Sequence, residues 1–128
     1  MRRKQSFSLI ARIKSASYAI RGLTDMISTE HNAWIHVAAT AVALGLAWRF
    51  QISMIEFALI LIAIVLVWTA EAFNTVLEIM ANLVVGQRYS RLVKRAKDIA
   101  AAAVLIAAAG ALTLGLMILG PPLYALFQ

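Results

Sequence analysis

The 128-residue chain has no cysteine and only two histidines. Without cysteine there is neither a disulfide framework nor a thiolate metal site, and two histidines argue against a conventional zinc site. Acids are scarce as well: six Asp and Glu stand against twelve Lys and Arg, a formal net charge of +6. Apolar side chains, in contrast, make up 62% of the chain, where an ordinary soluble domain has about half. That composition excludes disorder. A single domain of this length has too much surface to hide such an excess in its own core, so lipid is the expected solvent for much of it. In a lipophilic chain a basic excess more often sets membrane orientation than binds nucleic acid, and no nucleic-acid partner is expected.

Three apolar blocks stand out. Residues 33–48 are interrupted only by His36, carry Trp34 and Trp48 near their two ends, and close on Arg49. Residues 52–85 are free of charge from Phe57 to Ala70 and continue at helical periodicity past Glu71 and Glu78. Residues 99–120 are uncharged and run into Pro121-Pro122, an expected helix stop. The runs are continuous rather than alternating, which excludes a membrane β-barrel. The reading is an all-α membrane protein of one domain, residues 1–128, with transmembrane helices at 33–48, 52–85 and 99–120.

Residues 1–32 read differently. Ile10, Ile13, Ser17, Ile20, Leu23 and Ile27 share one helical face, while Lys14, Tyr18, Arg21 and Asp25 line another. This pattern predicts an amphipathic helix on the membrane surface, with a basic tail Arg2-Arg3-Lys4 to meet anionic lipid. The segment lacks the apolar stretch and cleavage site of a signal peptide. Half of the basic residues precede the first span, only Arg49 lies between the first two, and Arg88, Arg91, Lys94, Arg95 and Lys97 lie between the last two. By the positive-inside rule the N-terminus and the second loop are cytoplasmic and the C-terminus is outside. The second helix then reaches the cytoplasmic interface near Glu71. Its residues 72–85 project beyond the hydrocarbon with an apolar face, for which the amphipathic helix is the expected partner.

Glu71, Asn74 and Glu78 are spaced by three and four residues and share a helix face that Asn82 continues. A carboxylate at the edge of hydrocarbon is expensive and marks a functional site by default; there it is suited to take a proton from a hydroxyl. The alternative is an interhelical polar clamp through Asn74. Glu30 lies on the same cytoplasmic side as Glu78, and two such carboxylates can share a Mg²⁺ whose other positions are water and nucleotide phosphate; alone, Glu30 reads as a solvated juxtamembrane charge. His36, within the membrane edge, reads as a satisfied polar group rather than a ligand. Lys97-Asp98 admits two readings. Asp98 is a helix N-cap and Lys97 an inside-positive charge, or Lys97 contacts phosphate while Asp98 organises its neighbours. No Gly-rich phosphate loop is present, so a nucleotide site here differs from the P-loop and protein-kinase types.

The stretch AEAFNTVLEIMANLVVGQRYSRLVKRAKDIAAAAVLI resembles the signature of the prokaryotic diacylglycerol kinase/undecaprenol kinase family: E-x-x-N-[ST]-x-x-E on a helix, a short basic loop with a Tyr, then [RQ]-A-K-D. Here these are Glu71, Asn74, Thr75, Glu78, Tyr89 and Arg95-Ala96-Lys97-Asp98, joined upstream by Lys14, Tyr18, Arg21-Gly22 and Glu30-His31-Asn32. The resemblance spans roughly Arg12 to Leu119. It implies a multi-pass lipid kinase of the bacterial inner membrane, a homotrimer with composite active sites. Its reaction would move the γ-phosphoryl of Mg·ATP to the primary hydroxyl of a membrane lipid. It implies Glu71 as catalytic base, Asn74 as positioning the reacting groups, and Glu30 and Glu78 as holding Mg²⁺ and nucleotide. Tyr18, Lys97 and Asp98 would line the ATP site, with Arg12 and Tyr89 as further nucleotide contacts. The chain departs from the pattern where Asn82 replaces the family's usual Asp, in a loop one residue longer around Gly86–Ser90, and at Arg12, one position out of register. Asn32 to His36 and KDIAAAAVLI look closer to the undecaprenol branch, but both lipids present a primary hydroxyl at the same depth and the acceptor stays open. Two other readings fit the coarse features: a proton-coupled transporter subunit with Glu71 as intramembrane carrier, and a catalytically inactive membrane scaffold of the same family.

Overall fold

Three of the four helix starts among the described residues are written by serines. Ser8, Ser53 and Ser90 each have extended backbone and accept a hydrogen bond from the N–H three residues on, supplying a partner that the first turn of a helix otherwise lacks. The computed structural model describes residues 8–86 and 88–128, and the expected basic tail Arg2-Arg3-Lys4 lies outside them. Four helices follow in order: α1 (Leu9–Thr29), α2 (His31–Phe50), α3 (Met54–Val85) and α4 (Arg91–Ala125). No strand occurs among the described residues. The last three helices are long and apolar enough to cross a membrane, in keeping with the expected all-α membrane fold, and Trp34 and Trp48 are exposed at the two ends of α2.

At 1.5 Å per residue α3 is about 48 Å long, well beyond the roughly 30 Å of a hydrocarbon core. Its start is fixed by a capping box: Ser53 Oγ accepts from the Glu56 N–H, and Glu56 Oε2 accepts at 2.8 Å from the Ser53 N–H. Its end is fixed by Gly86, whose φ of 56° and ψ of −121° lie where a side chain is strained. Between α2 and α3 the chain turns in three residues, with Gln51 in the left-handed region at φ 49°.

Two helix limits differ from the sequence expectation. Asp98 is not an N-cap: α4 begins at Ser90, and the charged residues 91–98 form its first two turns rather than a loop. Nor do Pro121 and Pro122 stop the helix, which continues to Ala125. Proline deletes an N–H and crowds the carbonyl four residues back, but its fixed φ is itself helical.

Packing is dominated by α3 against α4. Ala47, Ile60 and Leu119 form a small core where α2, α3 and α4 meet. α1 reaches α3 through Leu23 and Ile27, which line a cavity of about 560 Å³ with α3 residues from Ile64 to Val76. The expected partnership of α1 with the projecting segment 72–85 is therefore met only at its start; Leu77, Met80, Leu83 and Val84 stay exposed in the single chain. So do Ile10, Ile13 and Ile20 of α1, the face a lipid surface would cover.

Candidate active site

The helical spacing of Glu71, Asn74 and Glu78 brings one face of α3 against its neighbours, and burial along that face is graded. Glu71 is 1% exposed. Thr75, one turn on, is also buried, Asn74 is half-buried, and Glu78 and Asn82 open progressively to the surroundings. Four polar atoms in the deep part are buried without a hydrogen-bond partner: Glu71 Oε2, His36 Nε2, Asn74 Oδ1 and Thr75 Oγ1. Buried polar groups are normally paired, so this set marks a place where the fold withholds partners. Asn74 Oδ1 accordingly accepts no interhelical hydrogen bond among the described residues.

His36, expected to be a satisfied polar group, instead has a buried Nε2 with no hydrogen-bond partner. Its Nε2 lies 3.6 Å from Glu71 Oε2, in ion-pair range but too long for a hydrogen bond. The imidazole meets Trp68 edge-on, ring centroids 6.1 Å apart, and the Trp68 Nε1–H donates to Thr40 Oγ1 at 3.1 Å. His36 and Thr40 are four residues apart on α2, and Trp68 and Glu71 three apart on α3, so the four side chains interleave. The spacings within each helix are local, whereas the meeting of the two pairs depends on how α2 and α3 are set against each other.

The outer part of the face meets α4. Lys97 Nζ lies 3.7 Å from Glu78 Oε1 and 3.5 Å from Asn82 Oδ1. Asn82, standing where an Asp was expected, thus faces the same ammonium as Glu78. Asp98 points elsewhere, its carboxylate accepting from Lys94 Nζ at 2.8 Å one turn back. Tyr18, Tyr89 and Glu30 are not drawn to these clusters among the described residues. Tyr18 is exposed on α1 with the Arg21 guanidinium 5.6 Å over its ring. Tyr89 is exposed before α4. Arg12 lies in the first turn of α1, its N–H bonded to Ser8 O. Glu30 is the single non-helical residue between α1 and α2, half-buried, and its carboxylate caps neither helix. No three His, Asp or Glu converge on a cation position among the described residues.

Beside this polar column runs an apolar cleft of about 360 Å³ between α2, α3 and α4. Ala39, Ala43, Ile60, Val67, Leu112 and Leu116 line it, and His36 and Thr40 form its polar lining.

The sequence pattern of the family described as prokaryotic diacylglycerol kinase matches residues 17–119. A diacylglycerol kinase of Synechocystis sp. is 38% identical over 112 residues, 88% of this chain and 64% of that relative, so the chain spans a little under two thirds of that protein's length. An undecaprenol kinase of Bacillus subtilis is 34% identical over 110 residues, 86% of this chain and 89% of that relative. The matched region contains Glu71, Asn74, Glu78 and Lys97 together with α2, and with all but the last turns of α4. The chain belongs to the prokaryotic diacylglycerol kinase family.

Proposed function

We propose that this chain is a multi-pass membrane lipid kinase that moves the γ-phosphoryl group of ATP to the primary hydroxyl of a membrane lipid. The observation that carries the reading is Glu71: a carboxylate that is 1% exposed, with an unpartnered oxygen, beside an apolar cleft between three helices. A lipid chain suits that cleft, with the hydroxyl at its head meeting the Glu71 carboxylate. Diacylglycerol and undecaprenol, the substrates named in the two relatives, both carry such a hydroxyl.

Phosphoryl transfer through a loose transition state needs positioning and charge neutralisation more than covalent help. Glu71 takes the hydroxyl proton as that oxygen bonds to the γ-phosphorus and the bond to the ADP oxygen breaks. Asn74, with its Oδ1 buried and unpaired, orients the reacting groups. Lys97 moves from Glu78 to the nucleotide phosphates, its present contact of 3.7 Å being loose enough to exchange. Tyr18, Arg12, Tyr89 and Asp98 complete the nucleotide site.

Glu30 and Glu78 fit a Mg²⁺: both are partly exposed oxygen donors, and the Glu30 carboxylate is not used as a helix cap. One or two carboxylates are what this ion takes when water and phosphate fill its other positions. When bound it supplies neutralisation of the phosphate charge. In one chain Glu30 and Tyr18 make no hydrogen bond or ion pair to Glu78 or Lys97 among the described residues, which supports sites shared between copies in a homotrimer. The charge asymmetry of the loops supports a cytoplasmic site and a multi-pass protein of the bacterial inner membrane.

The test is purified protein with labelled Mg·ATP and a panel of diacylglycerol, undecaprenol and ceramide. Label should pass to at least one lipid, and Glu71→Gln should lower the rate by about 10³-fold or more without dissociating the oligomer. No transfer to any lipid would return the reading to a transporter subunit or an inactive scaffold; activity retained in Glu71→Gln would remove Glu71 as base.

A further inference from the structure

We infer that His36 is a positioning residue for Glu71, its Nε2–H holding Oε2 so that the other carboxylate oxygen is free to face the acceptor hydroxyl. The inference rests on the lipid-kinase reading for its role, but its geometry stands on separate observations. Both facing atoms are buried and neither has another partner. They stand 3.6 Å apart, a few tenths of an ångström beyond a formed N–H···O bond. Catalytic hydrogen bonds are commonly long before substrate is bound and tighten with it.

The imidazole is also held from behind. Trp68 presses on its ring, and Trp68 is fixed by its hydrogen bond to Thr40, one turn from His36 on the same helix. The chain Thr40–Trp68–His36–Glu71 is therefore a brace built from two helices, with the carboxylate at its end. A carboxylate held by one oxygen cannot rotate away from the substrate. It also keeps a fixed acceptor where an unpaired buried group would carry the full desolvation penalty. A purely structural histidine in an apolar packing site needs no carboxylate opposite it, and an isolated buried carboxylate is the costlier member of such a pair. His36 takes no proton from the substrate in this scheme; the proton stays on Glu71 until release.

The test has two arms on the full-length protein. In the kinetic arm, His36→Leu should lower kcat about 10- to 100-fold, the loss expected when a reacting group is misplaced. KM for ATP and lipid should stay within about twofold. His36→Gln, whose amide N–H can reach the same oxygen, should restore most of the rate. In the spectroscopic arm, ¹⁵N NMR of labelled histidine should show the Nε2–H tautomer at His36, with a signal that shifts in Glu71→Ala. Wild-type kcat in His36→Leu would overturn the inference. So would a Gln variant as impaired as the Leu variant, with both melting normally, or a His36 signal indifferent to Glu71. If wild-type protein phosphorylates no lipid, the kinase reading fails, while the NMR arm still decides whether His36 holds Glu71.

Discussion

Lys97 shows how one side chain ties two helices and two roles together. Its ammonium sits within reach of Glu78 and Asn82 on α3, and it is about one third exposed, so the attraction is partly screened and contributes little to stability. Its value under the kinase reading lies in phosphate binding. Lys97→Met should raise KM for ATP about 10-fold or more, equivalent to losing a charge-assisted contact of roughly 1.5 kcal/mol, while the melting temperature hardly moves. Asn82→Asp should restore a carboxylate opposite the ammonium and lower the Mg²⁺ concentration for half-maximal activity by a few-fold, checked by a Mg²⁺ titration at fixed ATP. These residues differ in how far sequence alone reached them. The shared face of Glu71, Asn74 and Glu78 was legible because helical periodicity is local. The pairing of Glu71 with His36 was not, because it depends on how α2 and α3 are set against each other. A lone histidine in an apolar run carries no sign of what lies across the groove.

Among the elements, α3 owes its limits to two devices that can be tested separately. Ser53→Ala removes the cap at its start and should cost about 1 kcal/mol. Gly86→Ala forces a side chain into a region that only glycine occupies freely, at a cost of about 1–3 kcal/mol. Thermal unfolding in detergent should rank the two in that order, with the glycine variant the worse. The same local reasoning explains why α4 extends at both ends beyond its apolar run. Hydropathy alone placed residues 91–98 in a loop because they are charged, yet Ser90 stands immediately before them as a ready cap. The charges occupy two helical turns without needing to be buried. At the far end the prolines suggest a stop, yet only two N–H donors are lost and the turn beyond them persists.

At the scale of the molecule, the described chain buries few side chains and leaves apolar surface on every helix. Some of that surface belongs to lipid. The exposed apolar residues of the α3 segment beyond Val76 lie past the expected hydrocarbon boundary, and in the proposed homotrimer neighbouring copies would cover them. The absence of cysteine makes the topology straightforward to measure. Arg88→Cys and Phe127→Cys, both at exposed positions, should react with an impermeant maleimide from opposite sides. The former should label only in inverted vesicles and the latter only in right-side-out ones. Labelling of both from one side would refute a membrane crossing by α4. The join at Glu30 has a mechanical meaning as well. Its N–H closes the last turn of α1 on Met26 O, and its carbonyl opens α2 by accepting from the Ala33 N–H. With a single residue between them, the two helices have no slack. A change in the Glu30 backbone angles therefore alters directly the angle between the surface helix and α2.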